Sequence, residues 1–116
     1  MGNVFGHEKL EAYKKAIQFE AWITRLIKSA PDLAKALEEL RHVSSSISVK
    51  IAEGNAKLSI NERLALFDNA IDSAVESAVA LDILVAEGEL TAEQIQEGKD
   101  TLKEIVEAIG KLRSSE

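Results

Sequence analysis

With 116 residues, the chain is long enough for one domain around a single buried core and too short for two. Hydrophobic residues make up 46% and charged ones 29%, with one proline, a balance that suits a soluble helical protein. Cysteine is absent, which excludes disulfides, thiolate metal ligands and a cysteine nucleophile. The N-terminal MGNVFGHEKLEAYKK carries no apolar run of signal-peptide length. No stretch approaches the roughly 18 apolar residues of a membrane span, so a cytoplasmic protein is expected.

The first predicted helix covers about 7–29. On a helical wheel Leu10, Ala12, Tyr13, Ala16, Ile17, Phe19, Trp22, Ile23, Leu26 and Ile27 fill roughly two thirds of the circumference. Lys15, Glu20 and Thr24 interrupt that arc. One stripe suffices to join a bundle, so Phe19, Trp22, Ile23 and Leu26 are expected to form a surplus apolar face. Pro31 disfavours helix at Ala30 and predicts a break there.

The second helix is predicted over about 33–55. Leu33, Leu37, Leu40, Ser44, Ile47, Ile51 and Gly54 follow one another by fours and threes, the spacing of a packing seam. Serines at 44, 45, 46 and 48 and a glycine are poor helix formers, but small residues let neighbouring backbones approach closely. Gly54 and Asn55 both tolerate left-handed angles and suggest the helix end.

A third helix over about 60–87 opens with a Ser59/Glu62 capping box. Its expected seam is Ile60, Leu64, Phe67, Ile71, Ala74, Ala78, Leu81 and Val85, and Gly88 marks its end. The fourth, over about 92–113, opens with a Thr91/Gln94 box and a Leu90/Ile95 staple. It continues through Gly98, Leu102, Ile105, Ile109 and Leu112. Short connections between four such helices predict an all-α, single-domain, antiparallel up-down-up-down four-helix bundle.

The net charge of −6 is unevenly placed. Residues 1–58 hold nine Lys/Arg and seven Asp/Glu, or +2; residues 59–116 hold five and thirteen, or −8. The acidic half opposes general nucleic-acid binding, which draws most of its affinity from phosphate contacts. None of the five aromatics alternates with basic residues as a base-stacking platform would, and no glycine-rich phosphate loop occurs.

Glu39 and His42 have the Glu-x-x-His spacing of a di-iron bundle. It occurs once, and His42 lies on the side of its helix away from Leu40, Ser44 and Ile47, so no metal or cofactor is expected. Glu38 or Glu39, His42 and Ser45 or Ser46 can be drawn as a hydrolytic triad. A mid-helix serine, however, has no free backbone N–H groups beside it to form an oxyanion hole. Asp68, Asp72 and Glu76 form an acidic row at four-residue spacing, most simply a solvated face.

Ser46-Ile47-x-x-x-Ile51-Ala52-Glu53-Gly54-Asn55 resembles the central motif of the bacterial four-helix-bundle family of proteins encoded in 23S rRNA intervening sequences. His7-Glu8-Lys9-Leu10-x-x-Tyr13, Phe67-x-x-Ala70-x-x-Ser73-Ala74-x-Glu76 and Leu81-Asp82-x-Leu84 extend the resemblance over nearly the whole chain. It implies a non-enzymatic bundle assembling into a ring-like homopentamer. A related branch, the accessory proteins of diversity-generating retroelements, is similar in architecture and binds RNA and a reverse transcriptase. Ser48 and Lys50 stand where the family motif has Pro and Asn, Ala56 replaces a Gly, and Asp72 precedes Ser73 in place of Gly. These departures look like idealisation, so an engineered assembly scaffold is one form of the expectation.

The expected function is therefore a structural or interaction protein with itself as partner, without catalysis, small-molecule substrate or membrane contact. Its interface is expected to use Phe19, Trp22, Ile23 and Leu26 with Ser44, Ser45 and Ser48. An RNA-binding accessory protein is the alternative, and the charge balance sides with the first.

Overall fold

Residues 5–116 are described by the computed structural model; the first four, where the stretch read for a signal-like run begins, lie outside the described residues. A 3-10 turn, Gly6–Lys9, leads into α1 (Glu11–Ser29) and a second 3-10 turn (Pro31–Leu33). Then follow α2 (Ala34–Ala56), α3 (Ile60–Ala86) and α4 (Ala92–Ser114). The fold is all-α with four helices, and no strand occurs among the described residues. No helix among them is long and apolar enough to cross a membrane.

The first helix starts later than expected. Leu10 is extended (φ −73°, ψ 133°), which separates the His7–Lys9 turn from α1. The turn is held by side chains, with the His7 ring edge-on to Tyr13 at a centroid distance of 4.7 Å. At the other end Ala30 leaves the helical region (φ −135°, ψ 66°) ahead of Pro31, as the proline requires.

The buried residues of α2 are Leu37, Leu40, Ser44, Ile47, Ile51 and Gly54, the expected seam save for a partly buried Leu33. Gly54 does not end the helix. It sits inside the last turn, and Gly88 is the one described residue with positive φ. The small size of Gly54 is what matters: a Cβ there would lie 2.7 and 2.9 Å from Phe67 ring carbons and 3.3 Å from Leu66 Cβ.

On α3 the seam is rotated from the expected one, to Phe67, Ala70, Ala74, Ser77, Leu81 and Leu84. Ile60 is 48% exposed, while Ile71, Ala78 and Val85 are only partly buried. Close approach explains the rotation. Alanines and serines face α2, and Ser46 Oγ and Ser73 Oγ meet at 2.5 Å across the pair.

The ends of α3 and α4 are chemically well defined. Ser59 accepts from the Glu62 N–H at 3.4 Å, without the return bond that would complete a box. Gly88 (φ 78°) closes α3: its N–H donates to the Val85 carbonyl at 3.0 Å, and that of Glu89 to Leu84 at 2.9 Å. These two bonds form a Schellman motif. The Thr91/Gln94 box is complete, with bonds of 3.1 and 2.8 Å, and both Leu90 and Ile95 are buried.

Each helix packs on two neighbours, α1 on α2 and α4, and α3 on α2 and α4. Contacts between neighbours run in opposing order. On α1 and α2, Glu20 meets Ser44 and Thr24 meets Arg41; on α1 and α4, Lys15 meets Glu104 and Arg25 meets Glu97. On α3 and α4, Asp68 meets Arg113 and Asp82 meets Lys99. This pairing is consistent with the expected up-down-up-down arrangement, and it puts α1 and α3 at opposite corners.

Candidate functional site

The expected interface residues of α1 belong to the chain's own core. Phe19 and Ile23 are fully buried, and Trp22 and Leu26 are 6% exposed. The Trp22 ring covers Gly98 of α4, where any Cβ would overlap the indole, and packs on Phe19 at 5.5 Å between centroids. The surplus face inferred from the wheel is thus corrected. A corner helix touches two neighbours, and covering both takes a wide apolar arc. Ile17, 46% exposed, is the large apolar side chain that remains outside on α1.

A row of uncovered apolar side chains lies instead on α3, apart from single exposed ones such as Val49 and Leu58. Val75, Val79 and Ile83 are 51, 49 and 50% exposed and recur every fourth residue along one ridge. A shallow groove lined by Ala36, Val43, Ala80 and Ile83 adjoins it on the α2 side. Asp72 and Glu76 flank the ridge, both exposed and without an ion-pair partner among the described residues. The sequence carried a signal for this ridge. Val75, Val79 and Ile83 lie opposite the core positions and interleave with the acidic row, so that α3 carries apolar residues on both of its sides, more than one seam requires.

The serines of α2 serve the bundle internally. Ser44 is buried and donates to Glu20 Oε1 at 2.7 Å, with the Arg41 carbonyl 3.1 Å from the same hydroxyl. Arg41 in turn donates to Thr24 Oγ1 at 2.7 Å. Ser45, Ser46 and Ser48, half-buried, donate to the carbonyls three residues back at 2.9, 2.7 and 3.1 Å. Ser44 is therefore not free for a partner, whereas Ser45 and Ser48 remain partly on the surface.

Burial pushes the Glu20 carboxyl above its ordinary value, and the Ser44 hydroxyl and Arg41 charge offset part of that. A raised folded-state value favours the native chain when Glu20 is protonated, and that contribution disappears as pH rises through it. Glu20→Gln, which stays neutral, is accordingly expected to raise the melting temperature most near neutral pH. The gain should shrink toward about pH 4, where the native carboxyl is itself protonated. Thermal melts across that range check this; a gain that grew on acidification would contradict it.

The central motif is a packing and capping device. Ile47, Ile51 and Gly54 are buried, Ser46 bonds across to α3, Ala52 is half-buried, and Glu53 pairs with Lys50 at 3.4 Å. Arg63 completes it from α3. Its Nη1 donates to the carbonyls of Asn55 and Lys57 at 3.0 and 3.1 Å, satisfying the open end of α2. Its other nitrogens hold Glu116 Oε1 at 2.9 and 2.7 Å, and its guanidinium lies 5.8 Å from the Phe67 ring centroid. Sequence reading missed Arg63, since nothing local marks an arginine that spans three elements.

The model of the family described as 23S rRNA-intervening sequence protein matches residues 8–111. The chain belongs to that family. The matched range takes in His7's neighbours at the 3-10 turn, the whole central motif and all of α3. Searches among curated proteins and among solved structures give no match.

In this chain the chemical constellations drawn from the sequence are dispersed. Glu39 and His42 are both exposed on α2, and no three His, Asp or Glu side chains cluster in metal-binding geometry among the described residues. Of the serines in the drawn triad, Ser45 donates to the backbone carbonyl of His42 and Ser46 to that of Val43, and neither to the His42 imidazole. Asp68 of the acidic row pairs with Arg113 at 2.6 Å, which leaves Asp72 and Glu76 as its free part.

Proposed function

We propose that this chain is a cytoplasmic, non-enzymatic structural unit, an antiparallel up-down-up-down bundle that assembles with copies of itself. A ring of five is what the family resemblance implies. The observation that carries the reading is the α3 ridge. Val75, Val79 and Ile83 stand half exposed in one row beside an apolar groove, a surface that monomers generally cover. The hydroxyls of α2 are engaged within the helix, and this supports a structural role over a hydrolytic one.

The decisive measurement is solution mass. Light scattering of the unmodified protein is expected to give a multiple of 12.6 kDa. Val79→Glu, on the exposed ridge, is expected to lower that mass while far-UV circular dichroism stays helical. A mass of one chain for the unmodified protein would overturn the reading.

A further inference from the structure

Two faces of the molecule, at opposite corners of the bundle, complement each other. On α3 the half-exposed ridge Val75, Val79 and Ile83 runs beside the unpaired carboxylates of Asp72 and Glu76. On α1 the outward stripe is Lys14, Ile17, Ala21 and Lys28, all exposed, with neither lysine in an ion pair among the described residues. The spacing of three, four and seven keeps these four on one side of the helix. Helix by helix the charges agree with the local picture. α1 holds four Lys/Arg and two Asp/Glu, or +2, and α3 holds one and five, or −4.

We propose that the α3 ridge of one copy receives the outer stripe of α1 from the next copy, in a head-to-tail contact. The inference rests on the self-assembly reading above and specifies its interface. Ile17 and Ala21 meet Val75 and Val79, which sets Lys14, three residues before Ile17, beside Asp72, three residues before Val75, and within reach of Glu76. The alternative, α3 against α3 about a two-fold axis, sets like carboxylates opposite one another, which disfavours it. Because α1 and α3 occupy opposite corners, each copy that accepts a neighbour still offers its other face. The contact therefore propagates until rotation between copies closes a ring.

Charge exchange tests the pairing without touching the core. Lys14→Glu and Asp72→Lys/Glu76→Lys are each expected to drop the mass toward a single chain at about 150 mM salt, where only near charges act. The variant carrying all three changes restores opposite charges across the contact and is expected to regain the unmodified mass. An equimolar mixture of the two variants should co-assemble. Circular dichroism confirms that each variant is folded. If the unmodified protein is oligomeric and Lys14→Glu keeps its full mass, the head-to-tail contact is wrong while self-assembly stands. A combined variant that stays small overturns the contact equally. A single-chain mass for the unmodified protein removes the assembly reading itself.

Discussion

Trp22→Glu unfolds the chain; it does not release folded subunits. The indole is 6% exposed, packs on Phe19 and roofs Gly98 of α4, so its loss opens a cavity between α1 and α4. Truncating a buried aromatic costs about 3–5 kcal/mol, and a carboxylate in the vacated space adds the penalty of an unpaired buried charge. Against the roughly 5–15 kcal/mol that holds a domain of this size, the sum leaves little or no folded population. Far-UV circular dichroism at 25 °C is the check. A variant that remained helical while losing mass would place Trp22 between subunits after all.

The second large effect is expected at Gly54. Alanine is the better helix former by about 1 kcal/mol, so propensity alone forecasts a gain from Gly54→Ala. The contact forecasts the opposite. A Cβ would sit 2.7 Å from the ring of Phe67, which is fully buried and has no room to retreat. Overpacking of this kind costs about 1–3 kcal/mol, so a net loss in melting temperature is expected. Phe67→Leu should be less damaging in the Gly54→Ala background than alone, because the leucine leaves space for the new methyl. The coupling measured in a double-mutant cycle is the readout, and strict additivity would refute it.

The two substitutions show where sequence reading succeeded and where it stopped. On α2 the four-three spacing named the buried set directly, because a helix packed along one seam displays its period without distortion. The caps at Ser59, Gly88 and Thr91 were legible for a similar reason, since each depends on side chains within a few residues. What failed were quantities set by the relative placement of helices. The arc on α1 holds the same residues whether its second half meets α4 or another subunit, and only tertiary position decides. The rotation of the α3 seam follows from the depth to which α3 sinks onto α2, which Gly54 and the Ser46/Ser73 contact set jointly. Of the two reasons the sequence offered for Gly54, close approach and left-handed freedom, the first holds. Its lack of a side chain, rather than backbone freedom, is what the structure uses.

Trp22 is the only tryptophan in the chain, and its position against Gly98 makes it an optical reporter of one seam alone. Tyr13 also lies on α1, whereas the α2–α3 pair contains no tyrosine or tryptophan. Indole emission therefore follows the docking of α1 on α4, while circular dichroism averages over all four helices. The molecule thus carries its own test of cooperativity, because coincident unfolding curves from the two signals define a single two-state transition. Emission that shifts first would mark α1 and α4 parting while α2 and α3 stay paired.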